Sequence, residues 1–142
     1  MRVSEVMTRG VEAVPIGAPV VEAARLMRDS DIGLVPVRSE SRIVGMLTDR
    51  DITVRATASG LDPRKTRVED VMTPLVASCL ESDDVERAAE IMQLAQLRRL
   101  LVLFPNGEVA GIVSLGDLAL QAGDEALAGE TLERVSEPPA GQ

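Results

Sequence analysis

In 142 residues the chain has no histidine, tryptophan or tyrosine, and only one phenylalanine, Phe104, and one cysteine, Cys79. Without histidine the usual general base and the commonest transition-metal ligand are missing, so zinc chemistry and Ser/His or Cys/His nucleophilic catalysis have no parts to work with. A single aromatic ring offers no stacking platform for single-stranded nucleic acid, and a net charge of −8 opposes contact with a phosphate backbone. A lone cysteine cannot close an internal disulfide, and Cys79 holds an apolar position, so it reads as a small buried hydrophobe. No stretch approaches the roughly 20 apolar residues of a membrane span, and the N-terminus lacks the basic-then-apolar order of a signal peptide. These absences predict a cytoplasmic protein with no membrane or nucleic-acid partner and no metal site.

What the chain does contain is itself, twice. Val3, Val6, Met7, Thr8, Val11, Val20, Ala23, Ala24, Met27 and Val37 recur 65 residues later as Val68, Val71, Met72, Thr73, Val76, Val85, Ala88, Ala89, Met92 and Val102. After a slip of one residue, Gly45-Met46-Leu47-Thr48-Asp49-Arg50-Asp51 answers to Gly111-Ile112-Val113-Ser114-Leu115-Gly116-Asp117. A duplicated apolar pattern alone reports packing, but here the polar signature Gly-x-x-Thr/Ser-x-x-Asp is duplicated too. Two copies predict a pseudo-twofold arrangement with two related sites. Each copy alone would be marginal, so the halves are expected to share a core.

Each copy opens with a short segment ending in Met-Thr, followed by a brief β run around Val11 to Val14 or Val76 to Cys79. A helix follows, because Val20, Ala23, Ala24 and Met27, like Val85, Ala88, Ala89 and Met92, fall at i, i+3, i+4 and i+7. Pro19 suits the first helical position, and Asp83-x-x-Glu86 has the form of a capping box. Apolar runs at Leu34 to Val37 and Leu100 to Phe104 pair with Ile43 to Leu47 and Val109 to Val113 as hairpins, the second around the turn Pro105-Asn106-Gly107. A last helix starts at Thr48 or Ser114. The fold class is therefore α+β, two tandem β-α-β-β-α repeats at residues 1–58 and 68–123. The polar linker 59–67 carries a small basic cluster, and the acidic segment 124–142, with Gly129 and Pro138-Pro139, is expected to be frayed or disordered.

Thr48 and Ser114 each end a strand and open a helix, which gathers a hydroxyl and unpaired backbone N–H groups where an anion is favoured. Asp51 and Asp117 lie one turn in, where a carboxylate can accept two hydrogen bonds from a ribose diol. The same spacing also describes a plain capping arrangement, worth about 1 kcal/mol, and on residues alone the two readings stand side by side. Arg98 and Arg99 open an apolar strand in the second copy, where two guanidinium groups can neutralise a phosphate or pair with nearby acids. Arg50, beside Asp51, is the candidate cation of the first copy. Asp49 with Asp51 and Asp83 with Asp84 are explained by helix starts, so no catalytic residue is expected.

Val-x-x-Val-Met-Thr, the Ala-Ala-x-x-Met helix, Arg-Arg before an apolar strand, and Gly-x-x-Thr/Ser-x-x-Asp, all in tandem, resemble a pair of cystathionine-β-synthase-type (CBS) domains, in the form of the small stand-alone bacterial CBS-pair proteins. The resemblance implies a Bateman module, commonly dimeric, that binds adenosine-containing ligands in clefts between its halves. It implies ribose contacts from Asp51 and Asp117, ribose or phosphate contacts from Thr48 and Ser114, and phosphate contacts from Arg98 and Arg99. It places adenine against backbone and aliphatic groups near Val11, Val14, Met46, Val76 and Ile112. The function implied is a regulatory sensor of AMP, ADP, ATP or S-adenosylmethionine, a homodimer that signals to a protein effector in trans and requires no cofactor. The alternative is a ligand-free homodimeric docking module.

Overall fold

A computed structural model describes residues 1–74, 77–120 and 125–137 of the chain. It divides into two compact units, Val11–Leu75 and Met1–Gly10 with Val76–Gln142. The first contains β1 (Val14–Pro15), α1 (Val20–Ser30), β2 (Leu34–Ser39), β3 (Arg42–Thr48), α2 (Asp49–Asp51) and β4 (Thr73–Pro74). Beyond Asp51 the chain winds on as a wider, π-helical coil over Ile52–Thr57, and Gly60 ends it at φ 71°. Strand β2 is the hub, parallel to β1 and antiparallel to β3, which in turn pairs with β4. Val20, Ala23 and Met27 of α1 are buried in one cluster with Val35, Val37 and Leu47 of the sheet. The small Ala23 lets the helix lie close on the strands, as its spacing predicts.

The second unit repeats this order with β5 (Ser78–Leu80), α3 (Val85–Ala95), β6 (Arg99–Leu103), β7 (Val109–Ser114) and α4 (Leu115–Leu120), and adds α5 (Glu125–Val135). β5 runs parallel to β6, and β6 antiparallel to β7 around the expected turn, where Gly107 takes φ 89° and Phe104 N–H donates to the Glu108 carbonyl at 2.8 Å. Helices α1 and α3 end alike: Asp31 and Gln96, equivalent residues of the two copies, adopt left-handed φ of 53° and 54°.

The expectation of one shared core is replaced by two clusters that have exchanged their opening segments. Val3, Val6 and Met7 are buried with Val85, Ala88, Met92 and Leu100, while Val68 and Val71 are buried with Val20, Val35 and Leu47. Equivalent hydrogen bonds fix both exchanges. Val20 N–H donates to the Thr66 carbonyl at 2.9 Å and Val85 N–H to the Met1 carbonyl at 3.0 Å. Val68 N–H donates to Ala18, and Val3 N–H to Asp83, each at 2.8 Å. The physical need is at the helix N-termini, whose first N–H groups have no acceptor within the helix. Neither N-cap supplies one from its side chain: Pro19 precedes α1 rather than opening it, and Asp84 makes no side-chain capping bond. The expected Asp83-x-x-Glu86 box does not form, because Asp83 instead accepts the Leu80 N–H at 2.9 Å. The linker has the same employment, since the Pro63 carbonyl accepts Val21 N–H at 2.9 Å.

A second correction concerns the acidic C-terminal segment, which is helical over Glu125–Val135 rather than frayed. Leu127, Ala128, Thr131 and Val135 form its inner stripe, with Ala128 and Thr131 buried and Leu127 and Val135 packed against the cluster of the second unit. Thr131, fully buried, accepts a hydrogen bond from Gln93 Nε2 of α3 at 3.0 Å. The stripe hides a polar residue, so an apolar periodicity does not display it.

Candidate functional site

Both Gly-x-x-Thr/Ser-x-x-Asp signatures form the same local structure, one in each unit. Thr48 Oγ accepts the Asp51 N–H at 3.0 Å while Asp51 Oδ2 accepts the Thr48 N–H at 3.0 Å. Ser114 Oγ accepts the Asp117 N–H at 3.1 Å while Asp117 Oδ2 accepts the Ser114 N–H at 2.8 Å. These are reciprocal capping boxes, which hold hydroxyl and carboxylate together at the point where strand becomes helix. The capping reading of the sequence is thus realised in both copies, and it ties each Asp to its Thr or Ser.

The glycines of the signature have a separate reason. A Cβ on Gly45 would stand 2.7 Å from the Thr73 carbonyl oxygen and 2.9 Å from Met72 Sδ; one on Gly111 would overlap the Thr8 carbonyl oxygen. Only glycine lets the Met-Thr end of the opening segment run against the strand, where Gly45 pairs with Pro74 and Thr8 bridges Ile112. In the first unit this brings Thr73 onto the site: its hydroxyl donates to Asp51 Oδ2 at 3.2 Å.

The cation beside Asp51 is Arg55, not Arg50. Arg50 is exposed on α2, whereas Arg55 Nη1 stands 3.7 Å from Asp51 Oδ1 and donates to the Val71 and Met72 carbonyls at 3.1 and 3.0 Å. Asp51 is 8 % exposed, so its charge is held by Thr48, Thr73 and Arg55 together. Arg55 lies four residues after Asp51, the helical spacing for an ion pair, and that spacing was the signal available in the sequence.

Around Ser114 the second unit has a cavity of about 570 Å³. Arg98, Arg99 and Ser114 all line it, so three residues singled out from the sequence come together. Leu115 and Ala119 of α4 form a second wall, and Ala128, Gly129 and Leu132 of α5 a third. Arg98 Nη2 lies 3.5 Å from Ser136 Oγ, just beyond α5. A cavity of this size with an apolar lining and few polar groups is typical of small-molecule sites. The first copy has Gly33 and Leu34 where the second has Arg98 and Arg99, so it has no equivalent pair of charges.

Of the residues expected to face adenine, Ile112 and Met46 are buried on β7 and β3, and Val11 is partly exposed before β1. Val14 belongs to the hydrophobic cluster of its unit, which commits its side chain to the core. Val76 lies outside the described residues. Cys79 is buried in the core of the second unit, and burial, with Asp83 adding, pushes its thiol up to about 12. Among the described residues no group of three or more Cys, Asp or Glu is placed to hold a metal ion. No described helix is long and apolar enough to cross a membrane.

Comparison with known proteins agrees with the repeat. The CBS domain family matches residues 3–56 and again 68–122. The CBS domain-containing protein YhcV of Bacillus subtilis is 39 % identical over 134 residues, covering 94 % of this chain and 94 % of its own. Hypoxic response protein 1 of Mycobacterium tuberculosis is 30 % identical over 124 residues, 87 % of this chain and 86 % of its own. Among solved structures, a CBS domain protein from Pyrobaculum aerophilum complexed with AMP superimposes with a TM-score of 0.76 at 30 % identity, covering 91 % of this chain and 99 % of that one.

Proposed function

Because the chain belongs to the CBS domain family and carries the domain twice in tandem, we propose that it is a regulatory module that binds an adenosine-containing ligand and signals to a protein effector in trans. The observation that carries this reading is the cavity at Ser114, where two arginines and a hydroxyl meet, with Asp117 outside its lining but tied to Ser114 by the capping box. In this reading Arg98 and Arg99 neutralise the phosphate with paired N–H donors, Ser114 contacts ribose or phosphate, and Asp117 accepts from the ribose hydroxyls. The adenine lies against aliphatic groups such as Ile112, which suits a chain with one aromatic residue. A relative of the same fold binds AMP, and that supports the adenosine class without ranking AMP, ADP, ATP or S-adenosylmethionine.

Thr48, Asp51 and Arg55 form the related site of the first unit, with Met46 and the backbone near Val11 and Val14 as its adenine wall. It lacks the arginine pair, so the two sites are unequal and the tighter one is at Ser114. The effector is reached through a change in the balance of two arrangements, which a ligand can bias only by binding one better than the other. The module works as a cytoplasmic homodimer and performs no catalysis of its own.

Thermal unfolding against AMP, ADP, ATP, S-adenosylmethionine and GTP, with Asp117→Ala beside wild type, tests the reading. A ligand at one hundred times its dissociation constant stabilises the fold by about 2.7 kcal/mol, a shift of several degrees. Shifts with adenosine ligands that fall sharply in Asp117→Ala, to what the weaker first-unit site supplies, are expected. A second reading, a ligand-free homodimeric docking module, is favoured by the capping boxes, which account for both signatures without a ligand. Cooperative unfolding with no shift from any nucleotide would select it.

A further inference from the structure

Helix α5 belongs to neither copy of the repeat, yet the second copy is shaped to receive it. In the register of the signatures, Leu115 and Ala119 of α4 answer to Asp49 and Thr53 of the first copy, which are exposed. Leu115 and Ala119 are instead partly buried beside the cluster that also takes up Leu127 and Ala128 of α5. Three polar side chains from the end of α3 and the turn into β6 add hydrogen bonds. Gln93 Nε2 donates to Thr131 Oγ, Gln96 Nε2 donates to the Glu137 carbonyl at 2.7 Å, and Arg98 Nη2 reaches Ser136 Oγ. Their counterparts in the first copy are Arg28, Asp31 and Gly33, and Arg28 pairs with its neighbour Asp29.

α5 has little stability of its own. At 11 residues it is shorter than the roughly 12–15 below which isolated helices are marginal in water, and Gly129 inside it lowers its helix propensity further. No positive φ requires that glycine, and a Cβ built on it meets no atom within 4 Å, so close packing does not require it either. Such a helix is held by its docking, and undocking also unwinds it.

The same helix supplies Ala128, Gly129 and Leu132 to the cavity at Ser114, and Arg98, which lines that cavity, is also one of its attachment points. A ligand in the cavity meets these α5 residues only while the helix is docked. It therefore binds the docked form better, and differential affinity is what moves a conformational balance. We propose that α5 is the switch of this module: docking of α5 and filling of the cavity at Ser114 favour each other, and docked and undocked α5 are the two arrangements whose balance a ligand shifts. The proposal rests on the adenosine reading above and adds to it the element that registers occupancy.

Backbone amide exchange over residues 125–137 of the full chain, with and without saturating AMP, ATP or S-adenosylmethionine, is the test. It is made on wild type and on Gln93→Ala/Gln96→Asn, which alters no residue lining the cavity and keeps at position 96 a side chain that tolerates the left-handed φ. A ligand that binds wild type is expected to slow exchange of α5 at least tenfold. The double variant is expected to exchange α5 at least threefold faster, with β6 still protected. Because coupling is reciprocal, it should then bind the same ligand at least threefold more weakly. Binding that leaves α5 exchange unchanged, α5 exchange unchanged in the double variant, or unaltered affinity where α5 exchange has risen would each overturn the proposal and leave the adenosine reading intact. Failure of all three ligands to bind wild type would overturn both.

Discussion

At the scale of the residue, the two signatures serve folding directly, each closing a reciprocal capping box where a strand becomes a helix. Thr48 with Asp51 and Ser114 with Asp117 were legible because a capping box is closed within four residues, a range over which spacing fixes geometry. The glycines were visible but their reason was not, since the carbonyls of Thr73 and Thr8 that demand them are far away in sequence. Gly111→Ala is expected to destabilise the protein by about 1–3 kcal/mol in urea denaturation, because the new Cβ meets backbone that cannot yield. Gly17→Ala, where nothing stands within 4 Å, is the control and should be close to neutral.

Cys79 makes a prediction in pH. Its thiol is raised from 9.0 to about 12 by burial, so the unfolded chain ionises it first. Stability from keeping the thiol neutral is complete below pH 9 and is lost as pH rises from there toward 12. Chemical denaturation of Cys79→Val, which copies its counterpart Val14, should show a smaller alkaline decline than wild type over that window. The folded wild type should resist thiol reagents at pH 8 and react once unfolded.

At the scale of the element, strands and helices followed the sequence wherever one face was purely apolar. Helix α5 did not, because its inner stripe passes through Thr131, whose hydroxyl is satisfied by Gln93 and is fully buried. Gln93→Ala is expected to cost about 1 kcal/mol through that lost bond. Hydrogen exchange should show the amides of α5 losing protection before those of β6. Equal loss throughout the unit would mean that α5 opens together with it and that the Gln93–Thr131 bond does not hold α5 in particular.

At the scale of the whole molecule, the exchange of opening segments ties each copy of the repeat to the other through the chain itself. Val3→Asp places a charge at a position with 0 % exposure and is expected to cost about 3 kcal/mol or more. Hydrogen exchange should then find the loss in α3, whose first N–H donates to Met1, and not in α1, which leans on Thr66. Loss confined to α1 would contradict the exchange.

The β-α-β-β-α order, the two hairpins, the capping boxes and the family can all be read along the chain, because each is written in spacings of a few residues and then written again. Folding in three dimensions assigns Val3 to the second copy and Val68 to the first, sets Arg55 rather than Arg50 at Asp51, and makes α5 a wall of the cavity at Ser114. The reason is a degeneracy the duplication creates: equivalent openings carry the same Val-x-x-Val-Met-Thr, so either one satisfies either core by pattern. Which it meets is settled by the length and path of the chain between them, through contacts between residues that no local spacing relates.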